Sequence, residues 1–405
     1  MVLSARLEAG GLGWRGGRLW LRLPADLAPP RPHGDAFAAG VLMPAMAAGL
    51  DVIVEGPVSP SLAANVTRMQ ELLVASNSRN PWTRVRRVSV EGTPDEAPAG
   101  PAAAGLFFSG GVDSMYSLVA AHRETGRHPG ILLFVKGFDV PLEATARGEL
   151  VLSQVAAVAR LAGTRLVVME TNLRHFTDRA LHWDMAHGAG LAFAGHAIGA
   201  HVDLLLVSAS DSHFRGDLGG TTTVLDPLWS RSGLTFASVG GRLDRQMKAE
   251  VLADEPWAQR HLVVCWKAPP GSINCGRCAK CLRTMLQFLV LDALSRFDTL
   301  PHEISPDLLS ADVLIAEPLR IQHWEEMVLR LSARPAWQPL AEGIRGLIAR
   351  SHQIKRAPRL TDVRTRDRRM VAAEWIQRTV QRNMPPAVRW RLLPLYRRWR
   401  QNTGG

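Results

Sequence analysis

The chain has 405 residues, 46% of them apolar, and a formal net charge of +11. That length leaves room for two domains and a tail, and no run of about 18 apolar residues is present to cross a bilayer. The charge excess is local: residues 355–400 hold 14 basic and 3 acidic side chains, while the rest of the chain is balanced at 34 of each. No apolar segment of a secretory signal opens the chain, so a cytoplasmic location is expected.

In chain order, residues 18–23 alternate as a strand, 35–49 read as a helix with an apolar face and 51–55 as a strand. A helix over 60–76 and a strand over 84–91 follow. Together they predict a small N-terminal α/β domain over residues 1–91, with the glycine cluster at 10–17 as a hairpin turn. Residues 92–104, rich in Pro, Ala and Gly, read as a linker. Strand-like runs then recur at 105–108, 131–135, 165–170 and 203–208, separated by helical patterns at 114–125, 146–162 and 187–200. Such alternation predicts an α/β domain over 105–295, a parallel sheet with helices on both faces. Ligands of such sheets lie beyond the carboxyl ends of the strands. There the candidates Ser109–Ser114, 136–139, 170–172 and 208–213 collect. Residues 296–405 read as a mainly helical region with a basic tail.

The most informative segment is Ser109-Gly110-Gly111-Val112-Asp113-Ser114, between an apolar run and a helical pattern. Two glycines allow a tight turn and close approach of a ligand to the backbone. The amides of the turn and of the first helical turn then converge beside the positive end of the helix dipole. Ser109 and Ser114 add hydroxyls, and Asp113 offers oxygens to a magnesium ion. The pattern is neither the Walker loop nor the dinucleotide fingerprint.

All four cysteines fall within seventeen residues, at Cys265, Cys275, Cys278 and Cys281. Paired Cys-x-x-Cys spacing with four thiolates suits a closed, structural Zn2+ site. An iron–sulfur cluster accepts the same ligands; disulfides would require an oxidising compartment.

The string Ser-Gly-Gly-Val-Asp-Ser resembles the PP-loop of the ATP pyrophosphatases, which cleave ATP between its α- and β-phosphates. With the four cysteines it resembles the 7-cyano-7-deazaguanine synthase family. Met247-Lys248-Ala249-Glu250-Val251 is similar to that family's Thr-Lys-Ala-Glu-Ile segment, and Leu282-Arg283 to its Leu-Arg pair. The resemblance covers roughly residues 104–292 and implies a PP-loop, HUP-like fold. It departs at Lys136-Gly137-Phe138-Asp139-Val140-Pro141, at His187-Gly188-Ala189 and at residues 208–213. The second-substrate pocket is therefore expected to differ, as in synthase-like proteins of undefined substrate.

By this resemblance the 109–114 loop holds the phosphates of ATP, Lys248 offsets the charge of the leaving pyrophosphate, and Asp139 binds magnesium or ribose. A lone helical Lys is otherwise an exposed one, and Asp139 is otherwise a turn residue. His187 and His213 are weaker acid–base candidates. Asp211 and Asp226 are metal or substrate candidates whose default roles are caps and turns. The implied activity is an ATP-dependent C–N ligase that adenylates an oxygen of a small-molecule substrate, a carboxylate first of all, releases pyrophosphate and forms an amide or a nitrile with a nitrogen donor. Two rival functions are an RNA-modifying enzyme gripping phosphates through residues 355–405 and a non-catalytic nucleotide sensor held at an anionic membrane surface by that tail.

Overall fold

The computed structural model describes residues 1–8, 17–77, 85–210, 218–265, 268–269, 271–310 and 318–356. Residues 211–217, with the candidates Asp211 and His213, and the basic tail beyond 356 lie outside the described residues.

The chain opens with β1 (Val2–Leu7), β2 (Gly17–Arg22), α1 (Asp35–Ala48), β3 (Val52–Val58), α2 (Pro60–Asn77) and β4 (Val90–Pro94). An alternating segment follows: β5 (Ala104–Phe107), α3 (Val112–Thr125), β6 (Ile131–Lys136), α4 (Thr145–Leu161) and β7 (Arg165–Thr171). Then come α5 (Leu173–Ala180), α6 (Trp183–Ala197), β8 (Leu204–Ser208) and β9 (Thr235–Val239). The described remainder is helical: α7 (Arg245–Ala253), α8 (Pro256–His261), α9 (Ala279–Leu289), α10 (Asp307–Ser310), α11 (Pro318–Ser332) and α12 (Gln338–Arg356).

Seven strands form one mixed, mostly parallel sheet in the order β1-β2-β7-β6-β5-β8-β9. The five strands from β7 to β9 are parallel, whereas β2 runs antiparallel to both β7 and β1. The central strands carry apolar residues at nearly every position because both sheet faces are covered. Leu133, Val135, Val167, Met169, Leu205 and Val207 face a core shared with α1, α5 and α6. Their neighbours Leu132, Phe134, Leu206 and Val239 face the opposite core, built with α3, α4, α7, α8 and α9. The two-residue period of a strand thus serves two cores at once. A third cluster joins α9 to α11 and α12.

The N-terminal segment is not a separate layer. β1 and β2 extend the main sheet, and Leu19, Leu21, Leu42 and Met46 sit in the same core as α6. Residues 92–104, expected as a linker, are fastened along their length. Ser61 donates to Glu96 at 2.8 Å, Arg231 donates to the carbonyls of Ala97 and Pro98 at 3.1 and 3.0 Å, and Arg231 lies 3.5 Å from buried Asp35. Pro and Ala disfavour regular structure here without making the segment loose. The expected strand at 84–91 is found at Val90–Pro94, pairing only with β3 in a small parallel sheet. Among the described residues no helix is long and apolar enough to cross a membrane.

Candidate functional site

Strand order reverses at β5, whose neighbours β6 and β8 lead in opposite directions through the sheet. A crevice for ligands opens beyond the carboxyl ends at such a point. The 109–114 loop occupies that position, directly after β5. Gly110 has φ +77°, in the left-handed region, where a side chain would be strained. Gly111 precedes α3 in extended conformation (φ −83°, ψ 170°), and no side chain caps the helix's first amides. A Cβ placed on Gly111 would meet nothing nearer than 3.5 Å, so packing alone does not demand glycine there. Val112 is 1% exposed, so its side chain packs into the core and does not border the loop. Ser114 Oγ donates to the Gly111 carbonyl at 3.1 Å and lies 3.4 Å from Ser109 Oγ, so both hydroxyls border the loop.

Asp113, in the first turn of α3, is met by two cations from α7. Arg245 forms an ion pair and hydrogen bond with Oδ2, and Lys248 Nζ lies 3.3 Å from Oδ1. Lys248 is fully buried and also donates to the Ala209 carbonyl, beyond β8. Burial pushes the Asp113 carboxyl up, but the charges of Arg245, Lys248 and Arg283 outweigh it and hold it below its ordinary range. Two cations thus meet one carboxylate beside a helix N-terminus, and the charge of Arg283 reaches it as well. This pairing bears on two readings of the sequence. Lys248 is no solvated helix residue, because its partner 135 positions away compensates its burial. Asp113, expected to face a magnesium ion, is already engaged with Arg245 and Lys248.

Asp139 is half-buried just past β6 and has no hydrogen-bond or ion-pair partner among the described residues. Lys136 lies 3.6 Å from Glu170, which also accepts from Arg22 at 2.6 Å. Asn172 is structural: its side chain accepts from Trp20 N at 2.9 Å and donates to the Arg18 carbonyl at 2.8 Å, fixing β2 to the sheet. The Ser208 hydroxyl, at the end of β8, is buried and has no partner among the described residues. His187 Nε2 accepts from Thr221 N at 3.1 Å, and burial lowers its pKa against the pull of Asp184 and Asp139. Its ring is thus held between the Thr221 amide and hydroxyl, with burial favouring the neutral form. Asp226 is 1% exposed, accepting from Thr222 N at 3.1 Å and from Ser238 Oγ at 2.6 Å. Burial pushes its pKa up to about 7. It organises a turn, as its default reading had it.

The four cysteines converge. None of the four is in a disulfide, their sulfurs lie within 4.8 Å of one another, and the Cys275–Cys281 and Cys265–Cys278 pairs are each 3.8 Å apart. Sulfurs bound about 2.3 Å from one centre at tetrahedral corners stand about 3.8 Å apart. The cluster therefore fits a single tetrahedral ion, whereas a multi-iron core would hold its thiolates farther apart. Local sequence builds the shell. Cys278 N donates to Cys275 Sγ at 3.3 Å, and Cys278 caps α9 by accepting from Cys281 N at 3.5 Å. Around it, Asn274 accepts from Val264 N and Cys265 N at 2.8 and 3.1 Å and donates to the Leu262 carbonyl at 2.9 Å. Arg147, from α4, donates to the carbonyls of Cys265, Ser272 and Ile273.

Arg245, Arg147 and Asn274 escaped the sequence reading. Arg245 lies three residues before Lys248 on one helix face, a signal hidden by the abundance of Arg. Asn274 adjoins Cys275, but only its distant backbone partners reveal its role.

No family model, curated protein or solved structure matches this chain.

Proposed function

We propose that the chain is an ATP-dependent, AMP- and pyrophosphate-forming C–N ligase. The observation that carries this reading is the uncapped N-terminus of α3 at the reversal point of the sheet, with Arg245, Lys248 and Arg283 gathered beside it. An anion is the group that such a site stabilises. The resemblance of residues 109–114 to the PP-loop names the anion as the β- and γ-phosphates of ATP. Gly111 supports it, since neither backbone strain nor neighbouring atoms there demand a glycine and an approaching ligand would.

In the proposed reaction an oxygen of the acid substrate attacks the α-phosphorus, and the bond to the β-phosphate oxygen breaks. The loop amides, Arg245 and Lys248 take up the charge on departing pyrophosphate. A nitrogen nucleophile then attacks the activated carbonyl and AMP leaves with the bonding electrons. Asp113 keeps Arg245 and Lys248 aimed at the loop. Asp139, with no partner of its own among the described residues, is assigned to magnesium or the ribose. The four-cysteine centre, with Zn2+ as the assigned ion, has no open position for chemistry.

Calorimetric titration of the full chain with Mg·ATP tests the binding step. Saturable binding, weakened by Lys248→Met and by Gly111→Ala, is expected. Unaltered binding by Gly111→Ala would remove the loop from the site.

A further inference from the structure

We infer that the four-cysteine centre sets the shape of the 109–114 loop, through the short segment that joins Cys265 to Gly110. Val263, two residues before the ligand Cys265, donates its backbone N–H to the Gly110 carbonyl at 2.8 Å. Its side chain, fully buried, lies 3.5 Å from the space beside the Gly110 Cα, and its carbonyl lies 3.5 Å from that beside Gly111. Both loop glycines thus rest against one residue. Glycine adopts this conformation without strain but also many others, so the hydrogen bond and the contacts of Val263 select the one observed.

What holds Val263 is the metal shell. Asn274 bridges the two branches of the cysteine loop, binding backbone groups of Leu262, Val264 and Cys265 beside its own neighbour Cys275. Arg147 ties the carbonyls of Cys265 and Ile273 together as a second bridge. A metal ion shared by Cys265 and Cys275 fixes the separation of these branches. Without it the close thiolates repel one another unless protonated, and the branch carrying Val263 loses one of its anchors. The ion then acts on the loop by position, at a distance of two residues from Cys265 and one hydrogen bond from Gly110.

The inference rests in part on the nucleotide reading of the loop, so its test has one readout that needs no nucleotide. In the full-length protein, amide exchange at residues 109–114 is compared before and after zinc removal by a chelator, with metal content measured. The same comparison is made for Val263→Pro, which deletes the donor but suits the extended Leu262 before it (φ −64°, ψ 127°). Asn274→Ala serves as a second variant should proline impair folding. Faster exchange at 109–114 is expected on zinc loss, and in the variants with zinc retained. Mg·ATP affinity should fall about tenfold alongside, the order of one lost orienting hydrogen bond. Exchange that rises only at residues 262–281 would overturn the coupling. If zinc-loaded native protein binds no Mg·ATP, the nucleotide function falls while the exchange result still decides the coupling.

Discussion

Lys248 Nζ lies 3.3 Å from Asp113 Oδ1, across 135 residues of chain, in a position where the lysine has no exposed surface. A buried ion pair contributes little net stability, but removing one partner leaves a desolvated charge alone. Asp113→Asn should therefore cost about 3–5 kcal/mol at pH 7. The Asp113 carboxyl is held below its usual value when folded, so the pair's contribution is complete above about pH 4 and fades as the pH falls through the folded-state value. Urea unfolding at pH 7 and pH 3 should show the gap between native and variant shrinking at the lower pH.

The two loop glycines separate structural from ligand-driven roles. Gly110→Ala should lose about 1 kcal/mol of stability because its φ is positive. Gly111→Ala should stay within about 0.5 kcal/mol of native stability, since the added carbon meets nothing nearer than 3.5 Å. Its Mg·ATP affinity should nonetheless fall about tenfold or more, a shift of about 1.4 kcal/mol. Equal loss of stability in both variants would place the demand for glycine in the fold.

Asp226 offers a pH-dependent test of a different sort. Its folded-state pKa of about 7 lies above the unfolded one, so the native chain loses stability as the pH rises from about 4 to about 7. A shift of about three units corresponds to at most about 4 kcal/mol. Asp226→Asn keeps the acceptor for Thr222 N and can donate to Ser238 Oγ. It should raise the melting temperature at pH 8 and match the native protein near pH 4. A pH-independent difference would contradict the buried, protonatable carboxyl.

The core shared by the N-terminal segment and the sheet predicts one cooperative unfolding transition. Arg231→Met removes the cation beside buried Asp35, leaving that carboxylate only its hydrogen bonds from Ser59 and its neighbour His33, and removes the bonds to residues 97 and 98; it should lower stability by about 3 kcal/mol without splitting the transition. Two transitions in calorimetry would mean that residues 1–91 fold alone.

Four of the five parallel strands were legible because a strand buried on both faces must be apolar throughout, as Ile131–Lys136 is up to its last residue, whereas β9, with Thr235 and Ser238 among its five residues, was missed. The turn at 109–114 was legible because it and the helix start are written in adjacent residues, and the cysteine cluster because its spacing is local. Long-range partnerships were not. Nothing near Lys248 announces that Asp113 compensates its burial, and nothing in residues 92–104 announces the grip of Arg231. β1 and β2 alternate like any half-buried pair, so the sequence does not say which sheet they join.

The cleavage site in ATP is the most direct measure of the central claim. Purified full-length protein is incubated with Mg·ATP, ammonium and a small-molecule extract of its host, and the nucleotide products are resolved. The account predicts AMP and pyrophosphate in equal amounts, dependent on the extract and abolished by Lys248→Met in protein shown to be folded. Release of ADP, or AMP output unchanged in the variant, would contradict it.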